Sequence, residues 1–201
     1  MKKTVLVFDS RERFIWLDGW ITPEMASRFK RILDRLNRKS APIVLYIRGM
    51  GGDPHSAFNI MSDMNNSISP ISVVAHNYVA SACFTITQAG DYRLAMKGTR
   101  FSFHPAVLVV QPKKESFEMT QEELMGTLES LRLTDGVQLS WFFKKGRPVK
   151  DIFNLFNTNT TINLPRAKRL KIMDDYYKER DFLRDRRIVR KKLVSGQKRR
   201  K

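Results

Sequence analysis

Three places in this sequence hold residue types that can do chemistry. Ser81 stands between Ala80 and Ala82, just after an apolar run. A serine there can attack a carbonyl if a base is near, and its small neighbours leave room for a substrate. A helix opening after it would turn its first N–H groups and positive dipole end toward a developing oxyanion. An ordinary helix cap also explains a serine at such a junction, and taken alone it is the commoner case. His104, in Phe101-Ser102-Phe103-His104-Pro105, is a candidate general base because imidazole titrates near neutrality. His55 and His76 compete for that role, and nothing local separates the three. The third place is Gly49-Met50-Gly51-Gly52-Asp53, where glycines allow positive φ and close backbone approach to a ligand. Its N–H groups can form an oxyanion hole or an anion nest, although an ordinary strand-to-helix turn has the same look. No Gly-Lys-Ser/Thr ends the stretch, so it is not a nucleotide-binding P-loop.

The elements that must position these residues follow from pattern and punctuation. Phe14–Leu17 reads as a short strand ending at the turn pair Asp18-Gly19. Thr22-Pro23-Glu24 starts a helix that carries Met25, Phe29, Ile32, Leu33 and Leu36 at helical spacing. Ile43–Ile47 and Ile71–Ala75 are continuous β-rich runs of the buried kind. The glycine loop and a helix bearing Phe58, Ile60, Met61 and Met64 lie between them. A helix follows Ser81 toward Gly90, and Tyr92–Leu94 and Phe101–His104 read as short strands. Thr120-Gln121-Glu122-Glu123 is a capping box opening a long helix to about Phe143. Gly146-Arg147-Pro148 breaks it, and two shorter helical segments follow. Alternating strands and helices predict an α/β fold with largely parallel pairing. Sites in such sheets gather where strands give way to helices, which is where Ser81 and the glycines lie.

Composition narrows the function classes. The chain has 201 residues, enough to bury a core without disulfides or metals, and a single cysteine, Cys83. With three histidines beside it, a metal cage is not expected. No apolar run approaches the roughly 20 residues of a membrane span, so a soluble, cytoplasmic protein is expected. Lys and Arg number 37 against 20 Asp and Glu, a net of +17. From Lys178 to Lys201 there are twelve basic and three acidic residues, a net of +9. The chain thus reads as a domain over residues 1–175 and a basic tail over 176–201. Rough helical periodicity in Phe182, Leu183, Ile188, Val189, Leu193 and Val194 gives that tail a helical character. Such a tail can bind nucleic acid through phosphates, or an acidic protein face, although a solvated terminus explains it equally well.

Taken together and in order, the segments resemble the Clp protease proteolytic subunit family. Ile43–Gly52 is similar to its strand and double-glycine loop, and Val79-Ala80-Ser81-Ala82 to its nucleophile turn. Ala89-Gly90 falls at the family's spacing after that turn. Phe101–Pro105 resembles its catalytic-histidine strand, and Glu12–Gly19 its first core strand. The helix from Thr120 sits where the family has its handle helix. Gly146–Ile152 matches the approach to the triad acid, and Leu164–Ala167 with Ile172–Asp174 the closing segments. The resemblance covers about residues 12–175. It implies an α/β spiral of strand–strand–helix units, shared with crotonases, and a serine peptidase of stacked homo-oligomeric rings acting on unfolded peptides. It implies Ser81 as nucleophile, His104 as base, and the N–H groups of Gly52 and Ala82 as oxyanion hole. No metal, nucleotide or organic cofactor is implied.

The sequence departs from the family pattern in three ways. The acid position falls on Asn159, and no Asp or Glu lies between Asp151 and Asp174. An asparagine can hold an imidazole ring but lends no negative charge to imidazolium. The same exchange in a trypsin-type triad costs about 10⁴ in turnover. Slow catalysis is therefore expected, and a ring subunit without turnover is the alternative. About eleven residues precede the first core strand, short for the family's axial loop, so a standard partnership with an AAA+ unfoldase is not expected. The chain also runs about 25 residues beyond Asp174-Asp175 as the basic tail. A crotonase-like enolate site, the third alternative, would leave Ser81 and His104 without a use.

Overall fold

The computed structural model describes residues 4–107, 120–143 and 147–198. The expected break at Gly146, the tail's Leu193 and Val194 side chains and its last residues, Arg199 to Lys201, lie outside them. Strand β1 (Val5–Asp9) pairs antiparallel with β2 (Phe14–Ile21), Val5 opposite Asp18 and Asp9 opposite Phe14. Asp9 Oδ1 accepts the N–H groups of Arg11 and Glu12 and turns the chain between them. Helix α1 (Pro23–Leu36) follows, with Thr22 Oγ1 accepting from Met25 N as the cap residue requires. Its Met25, Phe29, Ile32, Leu33 and Leu36 are all buried.

The next two strands are longer than the apolar runs suggest. β2 continues through Asp18-Gly19 with a register shift before Trp20, instead of turning there. β3 (Ile43–Gly52) includes the glycines, so the expected loop is the end of a strand. Its end is held on both sides, with Gly51 opposite Trp20, Gly52 opposite Ile21 and Gly49 opposite Val79. Pairing with β2 and β4 keeps the glycines in the strand, although Gly51 and Gly52 take positive φ of +113° and +141°. Helix α2 (Pro54–Asn65) is capped by Asp53, and β4 (Ile71–Ala80) returns parallel to β3.

The sheet branches on β4. Its first half pairs with β5 (Tyr92–Ala95) and its last three residues with β6 (Arg100–Ser102). Asn77, with φ of +60°, sits at the split. Helix α3 (Ala82–Thr87) stops earlier than expected, three residues short of Gly90. The long helix α4 (Gln121–Phe143) has the reciprocal cap expected of its sequence: Glu123 N donates to Thr120 Oγ1 and Thr120 N to Glu123 Oε2. After it come α5 (Val149–Asn157), β7 (Thr161–Asn163), α6 (Leu164–Arg169), β8 (Asp175–Tyr176) and α7 (Glu179–Lys198). β7 pairs antiparallel with β6, and β8 parallel with β5. These three short edge strands and β1 complete an eight-stranded sheet ordered β1-β2-β3-β4-β5-β8, with β6 and β7 off that path.

Strand alternation makes two cores. Ile15, Leu17, Leu45, Ile47, Val73 and Ala75 face α1, α2 and α3. Phe14, Trp16, Tyr46 and Val74 point the other way, onto Phe182 and Val189 of α7. α7 is fastened by Tyr46, whose hydroxyl donates to Asp185 Oδ2 at 2.7 Å. Its far end is held by Lys192, whose Nζ reaches Asp9 Oδ2 at 2.7 Å.

Candidate active site

Register alone brings the expected residues together. Parallel pairing sets Ala80 opposite Ser102, so Ser81 leaves β4 beside the chain that carries His104. Ser81 N donates to Ser102 O at 3.0 Å and holds the two exits side by side. On the other flank, β3 delivers its glycines to the same spot. A Cβ on Gly51 would lie 2.6 Å from Ser81 Cβ and 2.9 Å from its Oγ. Gly51 is therefore the glycine packed against the serine, and Gly52 lies further along the strand end. Which glycine touches Ser81 depends on the register shift after Ile47, which the residue types do not reveal.

Ser81 holds the N-cap position of α3 but does not cap it with its side chain. Its backbone has φ of +51° and ψ of −131°, and its side chain makes no capping bond. A non-glycine residue in that region is strained by about 1–3 kcal/mol, a cost retained when the surroundings hold a side chain on a sharp strand-to-helix turn. Ser81 O instead takes the N–H groups of Phe84 and Thr85. Ala82 is the first residue of α3, where an N–H has no helical partner. Cys83, two residues past Ser81, is fully buried, and burial pushes its thiol up to about 12. It is a packing residue and not a rival nucleophile.

Ser81, Ala82, Gly52 and His104 all line one cleft of about 750 Å³. Trp20 and Met50, about half exposed, form part of its apolar rim. Thr134 and Gln138 of α4 close another side, and Thr85 Oγ1 donates to Gln138 Oε1 at 3.3 Å, tying that helix to α3. Among the described residues, no hydrogen bond joins Ser81 to His104. The His104 ring has its Nδ1 2.7 Å from Pro105 O. A carbonyl only accepts, so this contact is a hydrogen bond in the tautomer with its proton on Nδ1, which leaves Nε2 as the basic nitrogen.

The other histidines separate clearly in three dimensions. His76 is 3% exposed, packed between Trp16 and Phe182 on the far side of the sheet, with neither ring nitrogen hydrogen-bonded. Burial, then the charges of Arg48 and Arg186, push its proton affinity down to about 3. His55 lines the same cleft as His104 but sits at the start of α2 with its ring edge against Phe58.

Asn159 lies two residues before β7, whose Thr161 stands opposite Ser102 of β6. Its Oδ1 accepts from Ser102 Oγ at 3.3 Å, and it is exposed with φ of +48°. A carboxylate that the sequence pattern did not single out also meets the chain beside His104. Asp135 of α4 accepts the Ala106 N–H at 2.6 Å. Burial raises its proton affinity, while that N–H and the charge of His104 act to lower it.

The profile of the Clp protease family matches residues 4–140, about two thirds of the sequence. This chain belongs to the Clp protease family. Among solved structures, an asparagine-to-aspartate mutant of ClpP1 from Listeria monocytogenes superimposes with a TM-score of 0.74. The two share 19% identity over 86% of this chain and 95% of that one, a likeness of fold. The α/β fold of the Clp proteolytic subunit expected from the sequence is thus the one present. Among the described residues, no helix is long and apolar enough to cross a membrane.

Proposed function

We propose that this chain is a serine-type endopeptidase of the Clp proteolytic-subunit kind. The observation that carries this is Ser81: a strained, non-capping serine facing a cleft that it shares with His104 and with the Gly52 and Ala82 backbone. A peptide enters beside the apolar rim of Trp20 and Met50. Ser81 Oγ attacks its carbonyl carbon while His104 Nε2 takes the hydroxyl proton. The Gly52 and Ala82 N–H groups receive the oxyanion. His104 returns the proton to the leaving amine, and water then releases the acyl group from Ser81. Ser81 and His104 approach within hydrogen-bond reach once substrate is bound, as is common for catalytic pairs that are loose in the free enzyme. Asn159 stands at the acid position and steadies the strand through Ser102.

Assembly into homo-oligomeric rings is part of the proposal. Of the 23 residues of α4, Thr134, Gln138 and Phe142 are buried, while Leu124, Met125, Leu128, Leu133 and Val137 are exposed. A helix with so many apolar side chains in water is suited to cover by another copy.

A second reading has a specific support. Asn159 in place of a carboxylate, with no Ser81–His104 bond among the described residues, suits a ring subunit that has lost turnover. On that reading the exposed Arg180, Arg186 and Arg187 of α7 would bind nucleic acid or an acidic partner. Hydrolysis of fluorogenic peptides with apolar residues before the scissile bond separates the two. Cleavage abolished by Ser81→Ala and by His104→Ala supports the peptidase. A folded, assembled wild type without cleavage supports the scaffold.

A further inference from the structure

The missing triad acid has a counterpart on the handle helix. His104 Nδ1 lies 2.7 Å from Pro105 O, and Ala106 N donates to Asp135 Oδ1 at 2.6 Å. Pro105 O and Ala106 N belong to one peptide group. Among the described residues no peptide bond is cis, so the C=O and N–H of this group point in opposite directions. The imidazole and the carboxylate therefore sit at the two ends of a single polarisable unit. A negative charge accepting the N–H pushes electron density toward the carbonyl oxygen and strengthens the bond that the oxygen accepts. Asp135 is also close enough for the charge of a protonated His104 to act on it. Its helix neighbours Leu131, Thr134 and Gln138 line the cleft that holds His104, so α4 is anchored where this contact is made.

We propose that Asp135, acting through the Pro105–Ala106 peptide group, is the positioning residue for His104. The peptide carbonyl holds the Nδ1–H tautomer, which an asparagine at the acid position need not select. The carboxylate supplies the negative charge, which Asn159 lacks, to steady the imidazolium formed when Ser81 attacks. The inference rests on the Ser81–His104 reading above, and it names the group that makes that pair competent.

The test uses the full chain and a fluorophosphonate probe. In this reaction the Ser81 Oγ–P bond forms, the P–F bond breaks, fluoride leaves, and the serine proton passes to His104. The labelling rate is measured by intact mass for wild type, Asp135→Asn, Asn159→Asp and the double variant. Asparagine at 135 keeps an acceptor for the Ala106 N–H and removes only the charge, so a clamp that is merely structural survives it. The expected result is labelling slowed about tenfold or more by Asp135→Asn. In the Asn159→Asp background, where a carboxylate can take Nδ1–H directly, the same change costs less than about threefold. An unchanged rate in Asp135→Asn, or the same loss in both backgrounds, overturns the proposal. A wild type that does not label sinks the peptidase reading itself and is a different outcome. Imidazole ¹⁵N NMR of wild type is a second measurement that needs no variant at 135. It should find the neutral His104 ring protonated at Nδ1, and a ring protonated at Nε2 overturns the proposal.

Discussion

The chemistry of this chain depends on where a few atoms are forced to sit. Gly51 has φ of +113° and no room for a Cβ beside Ser81. Gly51→Ala is expected to cost about 1–3 kcal/mol in backbone strain. It should also slow fluorophosphonate labelling about a hundredfold, because it displaces the nucleophile. Labelling at the wild-type rate in a folded Gly51→Ala variant would contradict that packing. His76 makes a prediction for pH. It is held neutral in the fold, with its proton affinity pushed down to about 3 from an ordinary 6.5, so the unfolded chain binds the extra proton. The stability involved is complete above about pH 6.5 and is lost as pH falls from there toward 3, by up to about 1.4 kcal/mol per pH unit. Urea midpoints measured from pH 7 to pH 4.5 should drop more for wild type than for His76→Phe, and parallel curves would refute this. That Ser81, His104, Gly52 and Ala82 would meet at one cleft was legible only from the order of their segments, since nothing local sets His104 apart from His55 and His76. Asp135 was not legible. It meets Ala106 across 29 residues of chain, on a helix whose sequence says nothing about which strand it will touch.

At the scale of elements, the strands that carry the core are readable as apolar runs, and the caps at Thr22 and Thr120 mark their helices. The edge strands are not. β7 and β8 are three and two residues long and gain their order from β6 and β5. The glycine stretch reads as a loop because glycine disfavours strands, yet pairing with β2 and β4 keeps it in the sheet. α7 is a further case. Asp185 interrupts its apolar stripe and would suggest a frayed helix, but it is 1% exposed, with Tyr46 and Arg184 both donating to it. Phe182 packs beside it on Trp16 and Tyr46. Phe182→Ala should therefore destabilise the protein by about 3 kcal/mol, as for a buried aromatic lost from a core. Chemical denaturation checks this, and a loss under about 0.5 kcal/mol would mean that α7 is a loose appendage.

At the scale of the whole molecule, the proposed assembly makes its own prediction. The exposed apolar row on α4 predicts that Leu128→Glu with Leu133→Glu lowers the assembly state while leaving the secondary structure intact. Sedimentation velocity checks this, and an unchanged species would place the contact elsewhere. The proposed assembly, the cleft and the basic helix acquire a common purpose only if Ser81 is a working nucleophile. The most direct measurement is intact-mass labelling by a fluorophosphonate, wild type beside Ser81→Ala. The account predicts one adduct per wild-type chain and none on Ser81→Ala. An unlabelled wild type that is folded and assembled, or an adduct that persists in Ser81→Ala, would contradict it.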